Sequence, residues 1–206
     1  MEIVTLLLDR GADPNYPSGY FDHTPLSNAI LFGHLEIAIL LLGRGPDVNL
    51  YAGCEYGTAL TAAVFKSNVE ITILLLDRGA DVNLLTDCEN GTALCEAACF
   101  GSLEIITLLL DRGAEVNHPG GSHGTGTASC VAAYWGRLGV VTFLLDRGAD
   151  INLTSGKYGT ALGAAASRGH LKTVELLLDR GAEVLLFHTK LCNNHGRYHT
   201  SRGMKI

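Results

Sequence analysis

The strongest constraint on this chain is a period. An apolar run closing on Arg-Gly recurs with its glycine at Gly11, Gly45, Gly79, Gly113, Gly148 and Gly181, at steps of 34, 34, 34, 35 and 33 residues. A second mark keeps the same beat: Thr24-Pro25-Leu26, Thr58-Ala59-Leu60, Thr92-Ala93-Leu94, Thr127-Ala128-Ser129 and Thr160-Ala161-Leu162. A third is Asp13-Pro14-Asn15, Asp47-Val48-Asn49, Asp81-Val82-Asn83, Glu115-Val116-Asn117 and Asp150-Ile151-Asn152. Three unrelated marks on one period define a repeat array, in which each unit buries its apolar face only by stacking on its neighbours.

Within one unit the residues dictate helix, tight turn, helix and extended loop. Leu60, Ala63 and Val64 follow Thr58 at helical spacing, alanine is the best helix former, and the threonine can cap the first turn. A second helix carries Ile71, Leu74, Leu75 and Leu76 and stops at Asp77-Arg78-Gly79. Glycine there accepts the left-handed conformation that ends many helices, and the arginine favours the negative end of the helix dipole. Small Ala62 and Ala63 set against Leu74 to Leu76 suit close helix stacking, and the stretch from Asp81 to Gly91 reads as a projecting hairpin.

These motifs resemble the ankyrin-repeat family. The family pattern is best matched by Thr24-Pro25-Leu26, by Gly33-His34-Leu35-Glu36 and by Leu74 through Asn83; the variant Tyr56-Gly57-Thr58-Ala59-Leu60 resembles ankyrin arrays of filamentous fungi. The resemblance covers about residues 1 to 186 and implies an all-α solenoid of stacked helix-turn-helix repeats with projecting β-hairpin loops. The units read as a partial repeat at 1–15, then full repeats at 16–49, 50–83, 84–117, 118–152 and 153–186, with a basic tail at 187–206. Where the family has a histidine after the leucine, this chain has Ser27, Thr61, Cys95, Cys130 and Gly163, so that histidine's hydrogen bond to the threonine is expected to be missing in every unit. Leu185 stands where an asparagine is expected and predicts a malformed last hairpin.

The ends differ in kind. Met1 enters in the middle of a unit and leaves Ile3, Val4, Leu6, Leu7 and Leu8 without a cover; the chain reads as a piece of something longer, with a partner at this end as the alternative. The last 20 residues hold no Asp or Glu but have Lys190, Arg197, Arg202 and Lys205; they carry +4 of a total of −6, leaving −10 for the array. His188, Cys192, His195 and His199 have tolerable zinc spacing, but nothing apolar nearby would build a second shell, so the tail reads as a flexible basic appendage.

Chemistry is sparse. A net charge of −6 argues against nucleic acid and anionic membrane surfaces, and no run of 18 apolar residues is present. The N-terminus has no signal-peptide pattern, so the expected location is the cytoplasm or nucleus, with the six cysteines reduced. Gly124-Thr125-Gly126-Thr127-Ala128-Ser129 imitates a phosphate loop but lacks its third glycine and falls in repeat register. Cys95 and Cys130 read as small buried hydrophobes, Cys54 and Cys88 as exposed thiols. No nucleophile–base set is recognisable, so the expectation is a protein without catalysis, cofactor or metal.

The resemblance places partner contacts on the ends of the first helices and on the hairpin tips. By register that selects Phe32, Phe65, Lys66, Phe100, Tyr134, Trp135 and Arg168, with Tyr20, Phe21, Tyr56 and Tyr158 from the loops. Aromatic side chains anchor interfaces more than other types do. The row from Phe32 through Phe65 and Phe100 to Tyr134 and Trp135 either forms a hot-spot line or seals the groove between the helices of each unit. Acidic Asp22, Glu55, Asp87 and Glu89 in the fingers point to a basic or amphipathic peptide partner. The leading function is a non-catalytic scaffold that recognises another protein along its concave side. The alternative is the C-terminal sensing fragment of a larger NTP-dependent signalling protein.

Overall fold

The computed structural model describes residues 1–17, 23–51, 57–87, 90–120 and 126–184. Helix α1 (Glu2–Asp9) is followed by five pairs: α2 (Pro25–Leu31) with α3 (Leu35–Leu42), α4 (Ala59–Phe65) with α5 (Val69–Asp77), α6 (Ala93–Phe100) with α7 (Leu103–Asp111), α8 (Ala128–Tyr134) with α9 (Leu138–Asp146), and α10 (Ala161–Ser167) with α11 (Leu171–Asp179). The short first helices stack on one another in chain order from α2 to α10, and each packs on the second helix of its own pair. The protein is an all-α solenoid.

Side-chain size sets this layering. Ala62, Ala63, Ala97, Ala98, Ala132, Ala133, Ala164 and Ala165 are fully buried, so the first helices approach closely. Ile71 and Leu75, Ile105 and Leu109, Val141 and Leu144, and Leu177 fill the space behind them from the second helices. Interiors packed at crystal-like density need such pairing of small with large.

Each first helix begins at a threonine. Thr24, Thr58, Thr92, Thr127 and Thr160 accept the backbone N–H three residues on, which satisfies a donor the helix itself cannot. The expected loss of the hydrogen bond from the histidine position is corrected in three units. Thr24 donates to Ser27 Oγ at 3.0 Å, the Thr61 hydroxyl lies 3.2 Å from that of Thr58 while also accepting the Thr58 N–H, and Thr127 donates to Cys130 Sγ at 3.5 Å. Any short polar side chain of the right reach can fill this role.

The stack is stitched along two lines. Asn49, Asn83 and Asn117 each accept the N–H of a residue in the next unit (Asp81, Glu115, Asp150) and donate to a carbonyl there (Gly79, Gly113, Gly148). On the outer edge, Arg44, Arg112, Arg147 and Arg180 reach back to Asp9, Asp77, Asp111 and Asp146 of the preceding units. The arginine beside the helix-ending glycine therefore acts across units as well as on its own helix end. Among the described residues, backbone bonds close the bases of the projecting loops: Thr86 to Gly91, Gly120 to Gly126 and Ser155 to Gly159. Among the described residues these loops form no strand ladder.

Candidate protein-binding face

The ends of the first helices and the adjoining loops carry the large rings. Phe32 is 74% exposed, Phe100 42% and Trp135 41%, although each closes a helix whose interior is buried. Helix geometry explains this: the last residue of a short helix turns past the stacked layer and leaves the core. Lys66 and Arg168 occupy the equivalent ends of α4 and α10 and are exposed.

The rings contact one another in two groups. Phe65 and Phe100, from neighbouring units, meet edge to face at 5.3 Å. Tyr134 meets Trp135 edge-on at 5.4 Å and stacks on Tyr158 at 4.8 Å. The Arg168 guanidinium lies 4.3 Å from the Tyr134 ring centre and 5.7 Å from that of Trp135, and the Lys157 ammonium 4.9 Å from that of Tyr158. Such cation–ring contacts at exposed sites are worth about 0.5–1 kcal/mol each. The Tyr134 phenol is held above the usual tyrosine range by its hydrogen bond to Tyr158, and the Tyr158 phenol below it by the same bond.

The main chain beneath this second group is fixed from the next unit. His170 Nε2 donates to the Tyr134 carbonyl at 3.0 Å, and one unit earlier Arg137 Nε donates to the Cys99 carbonyl at 2.9 Å. Both sit at the N-cap of a second helix and satisfy the open end of the preceding first helix. A β-carbon at Gly163 would overlap the Tyr158 carbonyl, so glycine at that position lets the loop carrying Tyr158 settle onto α10.

The structure thus brings together Tyr134, Trp135, Tyr158 and Arg168, pairs Phe65 with Phe100, and leaves Phe32 and Lys66 on the surface. Tyr20, Phe21 and Tyr56 lie outside the described residues, as do Asp22, Glu55, Glu89, Cys54, Cys88, Leu185 and the tail with His188, Cys192, His195 and His199. Sequence reasoning missed Lys157 as a partner of Tyr158, although their adjacency in the loop was visible.

Cys95 and Cys130 are buried side by side in the first-helix layer. Burial pushes the Cys95 thiol up to about 12 and the Cys130 thiol in the same direction. Neither supplies a thiolate near neutral pH, and nucleophilic chemistry needs one. Thr127 caps α8, in keeping with the repeat reading of the glycine-rich stretch before it. Among the described residues no three His, Cys, Asp or Glu side chains gather as a metal site, and no helix is long and apolar enough to cross a membrane.

Capped helix pairs, an alanine layer against a leucine layer, and asparagine stitches at each junction define the helix-pair solenoid class. Family models described as ankyrin repeats (3 copies) match residues 50–120, 83–155 and 120–188, and one described as ankyrin repeats (many copies) matches residues 1–42. The chain belongs to the ankyrin-repeat family. No curated protein matches it. Repeats of this family mediate protein–protein interaction.

Proposed function

We propose that this protein is a non-catalytic platform that grips another protein along the ends of its first helices and the loops beside them. The units at 16–49, 50–83, 84–117, 118–152 and 153–186 serve as the steps of that platform. The observation that carries the reading is the exposure of Phe32, Phe100 and Trp135 at matching ends of three first helices. Large rings left in water at equivalent positions, flanked by half-buried Phe65, Tyr134 and Tyr158, are the composition expected of an interface core. Buried thiols at Cys95 and Cys130 suit a reducing compartment, and the platform is assigned to the cytoplasm or nucleus.

Replacing Phe100 and Trp135 together by serine tests it. Affinity capture from the native cell should lose its partners with the double variant while the melting temperature stays within a few degrees of the parent. A double variant that unfolds would show that the rings seal the groove, and unchanged capture would remove the ridge from the interface.

A further inference from the structure

The half of this face built from α8, α10 and the loop between Leu153 and Thr160 has a charge opposite to that of the whole chain. Residues 116–145 and 151–174 contain no Asp or Glu, yet hold Arg137, Lys157, Arg168 and Lys172, in a protein of net charge −6. The acidic finger residues that suggested a basic partner, Asp22, Glu55, Asp87 and Glu89, all precede residue 90.

Arg168 stands apart from the other arginines of the five full repeats. Arg44, Arg112, Arg147 and Arg180 each pair with an aspartate, Arg78 donates to a carbonyl, and Arg137 donates to the Cys99 carbonyl. Arg168 lies against the Tyr134 and Trp135 rings and donates to no acceptor among the described residues. Ring contact engages the guanidinium face and leaves its in-plane N–H groups available, the geometry that takes a carboxylate in a two-pronged bond. Lys157 adds a second cation beside Tyr158.

Resting on the platform reading above, we propose that Tyr134, Trp135, Tyr158, Lys157 and Arg168 dock an acidic segment of a partner protein. One carboxylate pairs with Arg168, and a neighbouring apolar or aromatic side chain lies on Trp135. Charge complementarity selects this occupant: a basic segment meets two cations and, among the described residues, no carboxylate here.

Selection of a phage-displayed library of random peptides on the full 206-residue chain tests this. The winners should be enriched in Asp and Glu next to Phe, Trp or Leu. Their affinity, by fluorescence anisotropy, should fall at least about tenfold with Arg168→Gln, fall similarly when the peptide carboxylate becomes an amide, and weaken with added salt. Lys157→Gln should give a smaller loss in the same direction, and melting curves of both variants should overlay the parent. Winners that are basic or neutral, or acidic winners indifferent to Arg168, overturn the acidic assignment while leaving the platform standing. A selection that yields no binder to any part of the chain counts against the platform itself.

Discussion

Arg78 donates to the main-chain carbonyl of Leu42 at 2.6 Å, whereas its counterparts at 44, 112, 147 and 180 reach an aspartate of the preceding unit. The cause is one residue. Position 43 is glycine where the other units have Asp9, Asp77, Asp111 and Asp146, so Arg78 takes the nearest acceptor left. Gly43 has right-handed helical backbone angles, which any residue adopts. Gly43→Asp should let Arg78 pair and should remove a glycine from a helix end. A gain of about 0.5–1 kcal/mol in urea denaturation is expected, most of it from the backbone, because exposed ion pairs contribute little. A lower midpoint would mean that the Leu42 contact is the better one.

Ser67 occupies the turn between α4 and α5 with φ +51°, where the equivalent residues of the other pairs are Gly33, Gly101, Gly136 and Gly169. A β-carbon in the left-handed region costs about 1–2 kcal/mol, partly offset by the extra freedom glycine has when unfolded. Ser67→Gly should therefore stabilise the array by about 0.5–1 kcal/mol, raising the thermal midpoint. A neutral or destabilised variant would show that the serine hydroxyl repays the strain.

Leu7, Leu75 and Leu109 share one register position, yet Leu7 is 55% exposed while the other two are fully buried. The difference is the first helix that covers α5 and α7 and has no counterpart over α1 among the described residues. Truncating Leu75 or Leu109 to alanine should cost about 2–5 kcal/mol, and truncating Leu7 less than about 1. Equal losses at Leu7 and Leu75 would show that α1 is covered in solution.

The repeat was legible because each mark does a local job: Thr58 caps, Gly79 ends, Asn83 stitches. The loss assigned to the missing histidine was misjudged because the hydrogen bond depends on reach and not on residue type, and Ser27, Thr61 and Cys130 have that reach. Ring exposure was not legible. Phe32 and Phe65 fall within one position of each other in register, but among the described residues only Phe65 finds a ring from the next unit to pack on. Nor was the clustering of Arg168 with Tyr134 and Trp135, since it depends on how far one helix end advances over the next.

The Cys95 thiol gives a signed pH dependence. Its ordinary value near 9 rises to about 12 because burial strips the thiolate of water. Between those values the folded chain keeps a proton that the unfolded chain has lost. The contribution is therefore complete below about pH 9 and declines as pH rises toward 12, by at most about 1.4 kcal/mol per pH unit. Urea denaturation of the parent and of Cys95→Ala at pH 7.5, 9 and 10 should show the parent losing stability faster with pH. Parallel losses would mean that the thiol is not protected.

Gly163 links the scaffold to the site. With a β-carbon there overlapping the Tyr158 carbonyl, Gly163→Ala must push the Tyr158 loop off α10, at the roughly 1–3 kcal/mol typical of overpacking. The stacked ring of Tyr158 would leave Tyr134, and with it the hydrogen bond that holds one phenol above and the other below the usual tyrosine range. Spectrophotometric titration should therefore show the most acidic phenol of the parent, identified by its loss in Tyr158→Phe, moving up in Gly163→Ala. Acidic-peptide affinity should drop several-fold although no ring or charge has been removed. A titration that stays put with affinity intact would show that α10 and the loop move together, and that the platform tolerates at this junction what its packing forbids.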